Sequence, residues 1–269
     1  MKIYDCFTFN DENDLLEIRL NELNYYIDYF VIIEFGINHQ GTFKGKKINS
    51  NLLNKFKNKI RYYYFKTFDK NLNSWGRENF QRNQINKGIL DAKDDDIILV
   101  SDVDEIPNLK NFDFKKVKEH IYAFSQMHSM YKFNLQRTER WIGTKLCRKE
   151  ILKSPQWLRS LKVHKKYSFF RIDKYFSKNY YSKFKIINEG GWHFGWLKNS
   201  HQIIEKINSY AHTEHNTKQF NNKLYIEKCI ANNINFLDKK KLKYKKKLNF
   251  LPMYILNNQK KFNQWIKKQ

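Results

Sequence analysis

Apolar and polar positions alternate along residues 2–9 (KIYDCFTF), a period of two with high aromatic content that predicts a β-strand. Capping residues at 10–14 then precede apolar positions at Leu15, Leu16, Leu20 and Leu23, a spacing that predicts a helix over 10–23. Residues 29–34 (YFVIIE) form a short continuous apolar run, as expected of a strand covered on both faces. Residues 36–47 turn polar, carry three glycines and read as a loop. A strand follows at 61–65, a helix over 75–90 with Phe80, Ile85 and Ile89 apolar, and the clearest buried strand at 97–100 (IILV). Strand, helix, strand, loop, strand, helix, strand predicts an α/β fold, a doubly wound mixed sheet flanked by helices, with any nucleotide site at the carboxyl ends of its strands. Beyond residue 120 the pattern is less regular, and strands are expected near 130–135, 168–172 and 184–187, with a helix over 200–211.

The chain has 269 residues, 41% hydrophobic and 17% aromatic, which suffices for one sizeable core and excludes a disordered chain. Its net charge of +24 raises the alternative of a lysine-rich nucleic-acid-binding protein. The make-up of that charge weakens this reading: 42 Lys stand against 9 Arg, beside 31 Asn, and nucleic-acid readers favour arginine for its bidentate contacts. Nucleic acid is therefore not the expected partner. Residues 1–150 hold 25 basic and 21 acidic side chains, whereas residues 151–269 hold 26 and 6. With no Pro/Gly/Ser linker or repeat between the halves, we expect one domain over 1–235 and a basic C-terminal extension over 236–269. Within it, residues 239–247 are all Lys except Leu242 and Tyr244, a cluster that must be solvated or rest on an anionic membrane surface. Cys6, Cys147 and Cys229 share no ligand-like spacing and are odd in number, and the sequence has neither a secretory leader pattern nor an apolar run of about 18 residues. A soluble, cytoplasmic protein, at most peripheral to a membrane, is the expectation.

Chemistry concentrates in two places. Ser101-Asp102-Val103-Asp104-Glu105-Ile106-Pro107 follows the buried strand directly; in an extended chain Asp102 and Asp104 project to one side, where two carboxylates suit Mn²⁺ or Mg²⁺ held between protein and diphosphate oxygens. In Gly190-Gly191-Trp192-His193-Phe194-Gly195-Trp196, the glycines permit close backbone approach to a ligand, the tryptophans offer walls for a sugar or base, and His193 offers an imidazole to a metal. Weaker candidates are Glu34 at a strand end, Glu78 and Arg82 at i and i+4 of a helix, and His212 with His215, whose spacing lacks the partners of a zinc site.

Taken in order, DCFTFNDENDLLEIRLNEL, the segment from Glu34 through GTFKGK to Lys46, WGRENFQR, SDVDEIP and GGWHFGW resemble glycosyltransferase family 17, the β-1,4-mannosyl-glycoprotein β-1,4-N-acetylglucosaminyltransferase family, over about residues 3–215. Members often read W-H-C where this chain has Trp192-His193-Phe194. The resemblance implies a GT-A-type nucleotide-sugar-binding fold, an inverting mechanism and a UDP-sugar donor, with N-acetylglucosamine the expected sugar and a glycan or lipid-linked glycan the expected acceptor. Carried onto this chain, Asp104 and His193 are the expected direct metal ligands, and Asp102 a ribose or water-mediated metal contact. Phe7, Glu34, Glu78, Arg82, Asp102 and Trp192 make up the expected donor-binding set. For the base that takes the acceptor's proton, Glu189, Glu139 and Glu214 are alternatives. A nucleotide-hydrolysing phosphodiesterase is a third reading of the same residue types.

Overall fold

Ile97, Ile98, Leu99 and Val100 are all fully buried, yet they serve two different cores. Ile97 and Leu99 pack with Leu15, Leu16 and Leu20 on one face of the sheet, while Ile98 and Val100 pack with Ile85, Ile89 and Trp157 on the other. Side chains of successive strand residues point to opposite faces, so a continuous apolar run is the signature of a strand sandwiched between two helical layers.

The structure, a computed structural model, describes residues 1–68, 71–162, 184–209 and 216–268. The strand expected at 168–172 lies outside these residues, as do His212, Glu214 and His215. Strands β1 (Ile3–Phe9), β2 (Tyr29–Phe35), β3 (Ile60–Phe65) and β4 (Ile97–Asp102) run parallel in the order β3-β2-β1-β4, with Cys6 opposite both Val31 and Val100. Helices α1 (Asn13–Leu23) and α2 (Ser50–Lys55) cover one face. The opposite face is covered by α3 (Ser74–Asn83), the 3-10 turn Gln84–Ile89 and α4 (Pro155–Ser160). The helix expected over 75–90 therefore tightens into a 3-10 turn in its last part. There Gly88 lies so close to β2 that a Cβ would stand 2.2 Å from Val31 Cγ1.

The sheet continues antiparallel. Strand β8 (Trp141–Arg148) pairs with β4, and β6 (Ile121–Met130) pairs with β8. Strands β9 (Phe184–Ile187) and β10 (Gly191–Gly195) lie parallel to successive halves of β6, and β5 (Glu105–Pro107) pairs with β10. A strand was expected at 130–135; instead β6 ends at Met130, where Tyr131 turns with φ 64, and only the short β7 (Leu135–Gln136) follows. Strand β6 escapes a hydrophobic reading because Ser125, Gln126 and Ser129 are buried polar positions within it. Helices α5 (Ser200–Ile207) and α6 (Lys223–Ala231) close a third core around Ile203, Ile207 and Ile226.

Residues 236–268 are stitched into the molecule: β11 (Lys243–Tyr244) pairs with β7, and Leu242 fills the third core. Leu251, Phe262 and Ile255, the last on helix α7 (Met253–Asn257), are buried in the core beneath α1. Trp265 Nε1 donates to Asp14 at 2.6 Å and the Tyr254 hydroxyl donates to Glu17 at 2.7 Å. Charge composition signals exposure of the lysines, but the apolar residues spaced between them are what decide packing. The three cysteines are free and buried, and among the described residues no helix is long and apolar enough to cross a membrane.

Candidate functional site

A cleft of about 450 Å³ opens where the parallel strands end: Thr8 and Phe9 of β1, Phe35 of β2 and Asp102 of β4 all line it. Sheets of this topology leave such a crevice at the point where strand order reverses, here at β1, which has β2 on one side and β4 on the other. Glu78, Gln81 and Arg82 of α3 form one wall; His193 and Gly195 of β10 and Lys206 of α5 form another.

The turn that carries Asp102 and Asp104 is built from below by a residue the sequence reading passed over. Arg19 of α1 is wholly buried and forms a bidentate pair with Asp5 of β1, at 2.6 and 2.7 Å. Its remaining N–H groups donate to the Asp102 carbonyl at 3.0 Å, the Glu105 carbonyl at 2.8 Å and the Ser101 hydroxyl at 2.6 Å. Loop carbonyls below the site would otherwise be buried without donors, so this guanidinium fixes the turn's shape. Sequence shows Arg19 only as a polar interruption of an apolar helix face.

Asp102 and Asp104 both face the cleft, as expected, but in different company. Asp102 accepts from Arg82 at 3.0 Å on one oxygen and from Arg159 at 2.8 Å on the other. Burial alone would raise its pKa; the two guanidiniums hold it well below the usual carboxylate range. Arg159 also grips the buried Glu105 at 2.7 Å, and Glu105 accepts from Trp141 Nε1 at 2.6 Å. To ligate a metal directly, Asp102 would first have to leave two arginines. Asp104 Oδ1 instead lies 3.7 Å from His193 Nε2, and its Oδ2 lies 3.8 Å from Lys206 Nζ. Among the described residues no three His, Cys, Asp or Glu converge as a metal cage. Asp104 and His193 nevertheless fit a cation that takes two protein ligands and completes its shell from water and phosphate.

Around this centre stand cations and rings. Lys44 is held by the Asn10 carbonyl at 2.8 Å and by the buried Glu34, which also accepts from the Tyr62 hydroxyl at 2.7 Å. Glu34 is thus a support behind the cleft wall. His128 and Trp141 flank His193, with ring centroids 4.4 and 4.8 Å from it. Burial, with His193 beside it, pushes His128 down to about 2, so its ring is neutral. Glu78 pairs with Arg82 at 2.9 Å as the helical spacing suggests, and the pair extends to Asp102.

Several expected residues lie elsewhere. Phe7 is buried in the core with the Arg19 guanidinium 4.4 Å from its ring centroid, because its position on β1 faces α1. Trp192 alternates with His193 on β10, so it points to the opposite side, where Nε1 donates to the Phe250 carbonyl at 2.6 Å. Glu189 pairs with Arg140 at 2.9 Å on the surface, and Glu139 with Lys240; neither lines the cleft. The paired glycines serve chain crossing rather than ligand approach. A Cβ on Gly191, at φ +117, would stand 2.2 Å from the Ile106 carbonyl, and one on Gly190 would stand 3.0 Å from Phe124 Cα. Arg19, Arg159, Lys206, Glu12, Trp141 and His128 are site residues that the sequence did not single out.

The chain is 21% identical over 226 residues to the human and rat proteins named beta-1,4-mannosyl-glycoprotein 4-beta-N-acetylglucosaminyltransferase, an alignment covering 77% of this chain and 42% of each relative. The chain thus spans less than half the length of the curated relatives it matches. The description of glycosyltransferase family 17 matches residues 1–265, which takes in the aspartate turn, its arginine clamp, the histidine strand and the C-terminal packing, and the chain belongs to that family.

Proposed function

We propose that this cleft binds a UDP-sugar, with N-acetylglucosamine as the sugar, and transfers it to a hydroxyl of a glycan with inversion at C1. The observation that carries this reading is the meeting of the Asp102–Asp104 turn and His193 in one cation-lined cleft at the carboxyl ends of parallel strands. Asp104 and His193 would hold Mn²⁺ or Mg²⁺, which supplies charge neutralisation for the departing diphosphate. Lys206 and Lys44 line the same cleft and add positive charge near the leaving group. Arg82 and Arg159 fix Asp102, leaving it to orient the donor's ribose. The ring of Trp141, 38% exposed beside His193, offers the acceptor sugar a flat face. In the displacement the acceptor oxygen bonds to C1 as the C1–O bond to the diphosphate breaks. The acceptor's proton passes to a cleft carboxylate, for which Glu78, a cleft-lining residue whose second oxygen has no hydrogen bond among the described residues, is our candidate. The acceptor is a lipid-linked glycan if the exposed lysines of 239–247 rest on an anionic membrane in the cytoplasm.

Donor turnover and thermal stabilisation by UDP with Mn²⁺, set against single-stranded DNA, test the reading. Asp104→Asn is expected to lower transfer on the order of a hundredfold or more with its melting temperature little changed. Activity within about threefold of the parent, under one kcal/mol of barrier, defeats the assignment, and stabilisation by DNA but not UDP restores the nucleic-acid reading.

A further inference from the structure

Two neighbours compete for Asp104. His193 Nε2 approaches Oδ1, and Lys206 Nζ stands 3.8 Å from Oδ2. The same ammonium lies 3.3 Å from Glu12 Oε1, and the other Glu12 oxygen accepts the Asp11 backbone N–H at 3.1 Å. Lys206 also sits over the Trp196 ring, 5.5 Å from its centroid. One ammonium is therefore shared by two carboxylates, of which Asp104 belongs to the cation position and Glu12 stands beside it. Its contact with Asp104 is longer than a hydrogen bond, so it is a charge attraction that breaks without stranding a donor while Glu12 keeps hold. Burial would lower the lysine's pKa, but Glu12 and Asp104 outweigh it and hold the group protonated; burial is likewise outweighed at Glu12, where Lys206 and Lys198 hold the carboxyl at about 2. The position is built, since α5 is fixed by a capping box at Asn199 and Gln202 and buries Ile203 and Ile207.

We infer, resting on the metal-assisted reading of this cleft, that Lys206 is a displaceable counter-ion of Asp104. A divalent cation entering at Asp104 and His193 takes over that carboxylate, and Lys206 stays on Glu12 with its ammonium turned to the donor's diphosphate. Metal alone then binds weakly, because it must settle beside an ammonium. Metal and diphosphate favour each other, because the diphosphate's negative charge offsets the repulsion between the two cations.

The test titrates Mn²⁺ into the full chain and reads unbound Mn²⁺ by electron paramagnetic resonance, with and without UDP. Lys206→Met is expected to bind Mn²⁺ alone on the order of tenfold more tightly than the parent and to lose most of the enhancement UDP gives the parent. Lys206→Gln, which keeps a donor toward Glu12, reads the same quantity if the methionine variant does not fold. Unchanged or weaker Mn²⁺ binding in these variants, while Asp104→Asn abolishes it, overturns the counter-ion inference and leaves the metal site standing. Absence of Mn²⁺ binding in the parent and in the Lys206 variants alike, with UDP present, overturns the metal reading and this inference together.

Discussion

Lys145 of β8 is a buried cation whose two hydrogen-bond partners are carbonyl oxygens, those of Arg159 at 2.5 Å and Leu161 at 2.8 Å. It fastens the end of α4, and through Arg159 it bears on the clamp that holds Asp102 and Glu105. Burial, aided by the nearby Arg159 charge, pushes its pKa from the ordinary 10.5 down to about 7. Between those two values the unfolded chain binds a proton at this site that the folded chain does not, so this group makes stability rise with pH across that window. Urea unfolding at pH 7.5 and 9.5 should show the parent gaining on the order of 2 kcal/mol more than Lys145→Met over the same interval. Equal pH slopes in the two proteins would show that the folded lysine keeps an ordinary pKa. The comparison of slopes is needed because the methionine variant also strands two carbonyls, a loss that does not depend on pH.

At the scale of elements, period and cap decide which side chains reach the cleft. On β10 the alternation sends His193 to the cleft, while Trp192 and Phe194 join the core. Helix α5 is only eight residues long, so its position depends on its ends as much as on its apolar face. Asn199 accepts from Gln202 N at 2.9 Å, and the Gln202 side chain accepts from Asn199 N at 3.0 Å, a reciprocal cap that orients the helix carrying Lys206. Asn199→Ala is expected to cost about 1 kcal/mol by denaturant unfolding and to speed amide exchange in α5 ahead of the sheet. Unaltered exchange in α5 would mean that Ile203 and Ile207 alone hold it.

Across the whole molecule, the densest run of lysines lies at an edge of the sheet. Strand β11 ends the sheet order, and around it Lys239, Lys240, Lys241, Lys243, Lys245, Lys246 and Lys247 are exposed, while Leu242 is buried. Lysines on an edge strand discourage pairing with another chain, which is one sufficient reason for them. The membrane contact proposed above would be a second, since each lysine near an anionic surface adds roughly 1 kcal/mol within a Debye length. Co-sedimentation with phosphatidylserine vesicles should be strong at low ionic strength and reduced at physiological salt. It should fall further when Lys243, Lys245, Lys246 and Lys247 are changed to Gln, and binding unchanged by those substitutions removes the membrane role. Because residues 236–268 are packed into the fold, this surface moves with the cleft rather than on a flexible leash.

The sequence by itself determined what depends on neighbours along the chain. The runs at 29–34 and 97–100 identified the parallel strands because burial on both faces demands apolar residues at consecutive positions. The order of elements placed the cleft at their carboxyl ends, and carboxylates next to a strand end identified Asp102 and Asp104 as cleft residues. Only the tertiary structure decided what depends on pairs distant in sequence. Arg19 reaches 86 positions to the Glu105 carbonyl, Arg159 reaches 57 to Asp102, and Lys206 reaches 194 to Glu12, and no local period marks any of them. The buried polar strand β6 and the packed C-terminal residues stayed illegible for the same reason. A polar side chain reads as surface until its partner is known, and a basic run reads as a tail until the apolar residues between the lysines find the core they fill.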